Sequence, residues 1–425
     1  MEEECFNPLI ALLVVLFGST TWLGVNAFWV EVSIHTQTLP EGWNLGSIIT
    51  IIIQISAIPS LFYIFLQYKG RITISAAPII ITALLIVSTV TLFIGIFNDV
   101  TVYIAGAQRS IVIYIGIFFV GVVSVLSDVL FMPYMRNLPK MYFNSFFVGM
   151  GMSALVPSIF SIIQDAHSYE CVHIPNTFPP QFEAEYVNLK FGVTTYYTLV
   201  FIWYLIGLFA FLTIHWFQNF IYNAWPKSFT WSVKDVAVAP AVLDEKTEKT
   251  WNGITDVVLL CMIAIVNGSL NGLMPSIASF VTLPYSPNTY SWSLTICAIF
   301  QPVGSFVSFF LKARNVKVMI ATCTVTVVAV ALCIILAFQS PNPWLVNSSI
   351  GSAFAIVATT SVYGFGCYTR TVVFEHVRET SPNEKSKHQR LMYAGLAAQA
   401  GTLIVTSFVF PIINVFHLLK SVPSC

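Results

Sequence analysis

The chain has 425 residues, of which 56% are hydrophobic and 15% aromatic, with only 9% charged and a formal net charge of zero. Soluble domains carry about a quarter of their residues as Asp, Glu, Lys or Arg, so this composition describes an all-α polytopic membrane protein whose first partner is the lipid bilayer. A zero balance of 19 basic against 19 acidic residues also excludes nucleic acid as a partner, because phosphate binding needs an excess of Lys and Arg.

The opening MEEECFNPLIALLVVLF lacks the basic n-region of a secretory signal, so the first apolar run reads as a retained span. A helix of about 20 apolar residues crosses a hydrocarbon core of about 30 Å. Runs of that length fall at 9–31, 45–66, 76–97, 110–133, 142–163, 195–219, 255–280, 291–311, 317–338, 347–369 and 390–414, which predicts about eleven transmembrane helices. The loops after spans two, four, six, eight and ten carry nearly all of the basic residues; only Arg109, Lys190 and Lys420 fall on the other side. The positive-inside rule then predicts a cytoplasmic N-terminus and an extracellular C-terminus.

Two connections are long: 164–194 outside and 220–254 inside, the latter ending in the charged run Asp244 to Lys249. The second divides the chain into a six-helix bundle (1–219), a cytoplasmic central loop (220–254) and a five-helix bundle (255–425). Such a 6+5 arrangement is major-facilitator-like or equilibrative-nucleoside-transporter-like, and in those folds the substrate sits near the midplane between the halves. The facilitator loop signature between spans two and three is absent; QYKGRIT stands there.

Polar residues inside the spans carry the chemical information. Within span one, Trp22, Asn26 and Trp29 fall in a sector of roughly 60° at about 100° per residue, which presents two indoles with an amide between them. A ligand cavity and a helix-packing face with interfacial tryptophans are the two readings of that pattern. Gln54, Gln164, Asn267, Asn271, Gln301 and Gln399 add amides in later spans. Asn267 and Asn271 are four apart, so a regular helix places both on one face, while Gly268, Gly272 and Pro275 permit a bend or a close backbone approach. Any one amide alone is more often glue between helices than a ligand contact. Together, amides and aromatics with almost no intramembrane cation suit a flat, neutral, hydrogen-bonding solute better than a carboxylate, a phosphate or an ion.

Among the acids, Glu31 ends span one, Asp128 lies well inside span four and Asp256 begins span seven. Glu31 and Asp128 are the residues placed to couple or gate transport, the rival role for Asp128 being a structural pair on an adjacent helix. Pro59, Pro157, Pro275, Pro302 and Pro411 fall inside spans, where bundles tolerate them as static kinks or as bends for rocking halves. Cys261, Cys297, Cys323, Cys333 and Cys367 lie in spans without metal-ligand spacing, so no metal site is expected. Only Cys171 and Cys425 face the oxidising side, where a disulfide joining loop and tail is an open option. No GxxxxGK[ST], HExxH, GxSxG or dinucleotide fingerprint occurs, so the sequence supports neither an enzyme nor drive by a P-loop ATPase motif.

WLGVNAFWVE (22–31), LPEGW (39–43) and the Gln54 helix resemble the opening of the eukaryotic riboflavin transporters. So do Phe131–Gly151, VNGSLNGLMPS (266–276) and FPIINVFHLL (410–419), in the same order. The resemblance implies an eleven-helix plasma-membrane carrier that takes up riboflavin by alternating access, with riboflavin as substrate and no cofactor. It implies substrate contacts at Trp22, Asn26, Trp29, Gln54, Asn267 and Asn271, with Glu31 as a gating or coupling residue. Members of that family often carry an acid where this chain has Met150 and another where it has Ser124, one turn before Asp128. A carrier of another neutral heterocycle and a membrane receptor of the same fold without net transport are the alternatives.

Overall fold

The computed structural model describes residues 7–68, 76–104, 106–135, 140–165, 169–173, 182–186, 189–216, 253–311, 313, 315–381 and 384–421. The helices are α1 (Pro8–Gly18), α2 (Leu23–Thr38), α3 (Leu45–Tyr68), α4 (Ala76–Ile96), α5 (Ile111–Met135), α6 (Lys140–Gln164) and α7 (Val193–Trp216). They continue as α8 (Ile254–Asn267), a π-helical segment (Gly268–Leu273), α9 (Met274–Thr282), α10 (Pro287–Phe310), α11 (Val316–Phe338), α12 (Ser349–Glu379) and α13 (Glu384–Asn414). Two antiparallel hairpins lie between helices: β1 (Val102–Ile104) pairs with β2 (Ala107–Arg109), and β3 (Tyr169–His173) with β4 (Phe182–Tyr186).

Local chemistry sets many of these boundaries. Asn7 caps α1 by accepting from the amide of Leu9, with Pro8 at the first helical position. Ser286 caps α10, Asn315 α11 and Ser348 α12 in the same way. The surfaces these helices leave exposed are apolar, as Phe62, Phe209 and Phe408 show, which is the pattern of helices facing lipid. Among the described residues, eight helices are long and apolar enough to cross a bilayer, or nine if the bent pair α1 and α2 is one span, and Val148–Gln164 is a shorter apolar helix. The chain is therefore a multi-pass helical membrane protein. Every run expected to span the bilayer contains a helix, though the count of eleven is not reached by length and apolarity alone.

Three expectations change at the residue level. Span one is broken: α1 stops at Gly18, and α2 sets off at 58° to it. The hydroxyls of Ser19, Thr20 and Thr21 donate to the carbonyls of Leu16, Phe17 and Gly18 at the break, alongside the Thr20 and Thr21 amides on Phe17 and Gly18. Glu31 does not end the span, because α2 runs two turns further, to Thr38. The Ser33, His35 and Gln37 that lower hydropathy there face protein, with Ser33 and His35 buried. Asp128 lies deep in α5 but is exposed within the structure rather than enclosed.

The described residues of Met1–Phe28, Ile55–Phe160 and Phe191–Val242 form one compact unit. Its core centres on Phe17, whose ring lies 4.8 Å from both Phe131 and Phe211 and 5.9 Å from Phe146. Those of Trp29–Gln54, Ser161–Lys190 and Leu243–Cys425 form the second, with a core that includes Leu259, Val266, Met274, Phe280, Cys333 and Val362. At one end of that unit Arg390 of α13 meets Asp256 of α8 at 2.5 Å, and both side chains are 2% exposed. The central loop 220–252, the side chain of Cys171 and the whole of Cys425, and with them the disulfide option, lie outside the described residues.

Candidate functional site

In the first unit, the break between α1 and α2 places Trp22 and Asn26 on one wall. The amide of Asn26 still bonds to the carbonyl of Trp22 at 2.9 Å, so the two side chains sit one helical turn apart. Tyr204 of α7 anchors the turn by accepting from the amide of Gly24 at 2.7 Å, one of the donors that a helix start leaves without an intrahelical partner. The indole N–H of Trp22 donates to Asp128, 3.1 Å from Oδ1 and 3.3 Å from Oδ2. Asn26 donates through Nδ2 to Ser153 Oγ at 3.1 Å, while Ser153 passes its own hydrogen to the carbonyl of Met150. Trp203 donates to Ser19 Oγ at the break itself, at 2.9 Å.

Two glycines bring α6 close enough for this. A Cβ on Gly18 would stand 2.6 Å from the carbonyl oxygen of Phe146, and one on Gly149 would run into the carbonyl of Val15. The helices therefore cross backbone against backbone, and that fixes how far Ser153 lies from Asn26. Trp22 and Asn26 are half-buried and Asp128 is exposed.

In the second unit, Glu31 is fully buried and accepts from Gln164 Nε2 at 2.9 Å, with Gln164 itself fully buried. Oε2 of Glu31 and Oε1 of Gln164 have no hydrogen-bond partner among the described residues. Trp29 is half-buried, its ring 3.9 Å from where a Cβ on Gly46 would stand, and Gln54 is half-buried. Asn267 and Asn271 do not present equally. The π-helical turn between them widens the spacing beyond that of an α-helix, so Asn267 is buried with Nδ2 on the carbonyl of Ile263, while Asn271 is exposed. Their amides still approach, at 3.5 Å. The small residues of this segment allow a close crossing, since a Cβ on Gly268 would stand 2.9 Å from the carbonyl of Gly401 in α13. Among the described residues no group of His, Cys, Asp and Glu is arranged to hold a metal ion.

The family model for "Solute carrier family 52, riboflavin transporter" matches residues 6–421. The chain belongs to the riboflavin transporter family. The Caenorhabditis elegans riboflavin transporter rft-1 is 31% identical to it over 97% of this chain and 98% of its own length. Human solute carrier family 52, riboflavin transporter, member 3 is 27% identical over 98% of each. Among solved structures, a D-xylose-proton symporter superposes with a TM-score of 0.59 at 15% identity, covering 96% of this chain and 91% of that one. A bacterial Spinster homologue in an inward-facing conformation gives 0.56 at 12% identity, covering 97% of this chain and 86% of the other. These likenesses establish a major-facilitator-like fold, and the family is one of membrane transporters, not of enzymes.

For a member of the riboflavin transporter family, the structure groups Trp22, Asn26 and Asp128 in one unit, and Trp29, Glu31, Gln54, Asn267 and Asn271 in the other. Sequence reasoning missed Ser153 and Tyr204, the side chains that set Asn26 and the turn bearing it. It also left Glu31 and Gln164 unpaired, and Asp256 and Arg390 likewise. The only available sign was a serine or tyrosine within an apolar run, which says nothing about which helix it meets.

Proposed function

We propose that this chain takes riboflavin into the cell across the plasma membrane by alternating access, with its N-terminus cytoplasmic and its C-terminus extracellular. The observation that carries this reading is the wall of Trp22, Asn26 and Asp128, set on a helix break within a family whose named relatives are riboflavin transporters. Discontinuous helices are where transporters of such folds commonly build substrate sites. The isoalloxazine ring of riboflavin is planar and aromatic, which suits an indole face. Its pyrimidine edge alternates donors and acceptors, which an amide matches. Asn26 uses one amide hydrogen on Ser153, so its carbonyl and second hydrogen are the groups assigned to that edge. Trp29, Gln54, Asn267 and Asn271 are the further contacts we assign, and Glu31 in its buried pair with Gln164 is the gating residue. The Asp128 carboxylate repels phosphate, so phosphorylated flavins are poor substrates in this reading.

Uptake of labelled riboflavin by cells expressing the chain tests it, run beside Asn26→Ala with surface protein quantified. Saturable uptake, lost in the variant at equal surface level, supports the carrier and its wall. Surface protein without uptake overturns the assignment in favour of another neutral heterocycle or a receptor.

A further inference from the structure

We propose that two buried tyrosines of α7, Tyr196 and Tyr204, are positioning residues for flavin recognition: neither reaches the solute, and together they set the distance and angle at which Asn26 presents its amide. The inference rests on the riboflavin reading above and deepens it, naming the side chains that hold the wall rather than those that line it.

Tyr196 is 0% exposed and Tyr204 1%, and they lie about two turns apart on one helix. Their hydroxyls grip α2 on either side of Asn26. Tyr204 accepts from the amide of Gly24 at 2.7 Å. Only glycine leaves room for that contact, since a Cβ at this position would stand 2.9 Å from the phenol oxygen and 2.7 Å from Cγ1 of Val120. Tyr196 donates on the far side, its hydroxyl 3.2 Å from the carbonyl of Ala27 and 3.3 Å from that of Pro157, so one hydrogen is shared between α2 and α6. Ala27 adjoins Asn26, and Pro157 lies one turn beyond Ser153, the residue on which Asn26 rests. Proline has no N–H for the carbonyl four residues back, here that of Ser153, so this turn of α6 has one tie fewer than a regular helix. The shared phenol bridges the two helices at that place. The spacing of Asn26 and Ser153 is therefore set from a third helix. With Nδ2 committed to Ser153, any shift of α6 along α2 turns the Asn26 carbonyl and its second hydrogen away from the flavin edge, and hydrogen bonds weaken steeply with angle. The Ala27 carbonyl lies inside α2, where the helix supplies its own donor, so the Tyr196 hydroxyl contributes more to placement than to stability.

Riboflavin binding by the full-length protein, purified in detergent, tests this through flavin fluorescence, with thermal unfolding measured on the same samples. Tyr196→Phe keeps the ring and removes the hydroxyl. It is expected to weaken riboflavin by about three- to tenfold, the span of one neutral hydrogen bond, with an unfolding temperature within a few degrees of wild type. Asn26→Ala weakens binding as well, and adding Tyr196→Phe to it is expected to cost nothing further, because the amide being positioned is gone. Losses that simply add would show a tyrosine acting on the fold at large and would overturn the proposal, as would unchanged affinity in Tyr196→Phe. Tyr204→Phe makes the same comparison from the other side of Asn26 and carries the test where Tyr196→Phe does not fold; failure of both to fold makes them structural residues and overturns the assignment. Wild-type protein that binds no riboflavin overturns the riboflavin reading and this role with it, whereas wild-type binding that both phenylalanine variants retain overturns this role alone.

Discussion

Replacing Asp256 by Ala takes the carboxylate away from the buried guanidinium of Arg390. That side chain is 2% exposed and sits 2.5 Å from the carboxylate, with weaker bonds of 3.2 Å to Thr380 Oγ1 and 3.4 Å to Ser381 Oγ. Removing one partner of a buried ion pair costs about 3–5 kcal/mol, whereas removing both in favour of apolar side chains is often close to neutral. For a folding unit of this size each kcal/mol moves the midpoint by about 2–4 °C, so Asp256→Ala is expected to lower the unfolding temperature by about 10 °C. Asp256→Leu combined with Arg390→Met is expected to recover most of the loss. Thermal unfolding of purified protein, followed by size-exclusion of the surviving fraction, measures both. If the single variants lose less than the double, the pair is not the element that holds α8 against α13 and the assignment of its energy is wrong.

Gly149→Ala is expected to destabilise the protein by about 1–3 kcal/mol, because its new Cβ meets the Val15 carbonyl and backbone cannot yield as a side chain does. Gly395→Ala has open space around it and is expected to be neutral or to stabilise by up to about 1 kcal/mol; the same thermal assay compares the two, and an equal loss from both would contradict the close crossing. Glu31→Ala leaves the Gln164 amide buried without its acceptor and is expected to cost about 1–3 kcal/mol. Glu31→Gln retains an acceptor oxygen and should unfold within a few degrees of wild type, so matching losses for the two substitutions would remove the pair from the account.

Sequence reasoning reached the elements because hydropathy measures a segment's fit to lipid. Each expected span does contain a helix, and the starts of α1, α10, α11 and α12 carry their caps openly as Asn7-Pro8, Ser286-Pro287, Asn315 and Ser348. What it misplaced follows from the same physics. Hydropathy cannot distinguish water from protein interior, so a polar turn such as Ser33 to Gln37 looks like the end of a span when it is the packed continuation of α2. It cannot distinguish a cavity from a core either, which is why Asp128 looked enclosed. The pairs that define the site join residues far apart in the chain: 106 positions between Trp22 and Asp128, 127 between Asn26 and Ser153, 133 between Glu31 and Gln164. The π turn between Asn267 and Asn271 departs from the α period that a helical wheel assumes, yet their amides still approach to 3.5 Å.

Three carboxylates within or at the ends of spans looked alike in the sequence and have three environments in the structure. Asp256 is enclosed with a guanidinium, so its charge is balanced in place and it ties two helices together. Glu31 is enclosed with an amide alone, one oxygen satisfied and the other not. An enclosure of that kind is costly while the acid is ionised, and this makes it suited to a step that opens and closes. Asp128 accepts from the Trp22 indole and is exposed within the structure. Removing the charge should therefore give three distinct results if environment assigns the role. Asp256→Asn should act on stability with little effect on flavin affinity, Asp128→Asn on affinity with little effect on stability, and Glu31→Gln on the rate of uptake while both stability and affinity stay near wild type.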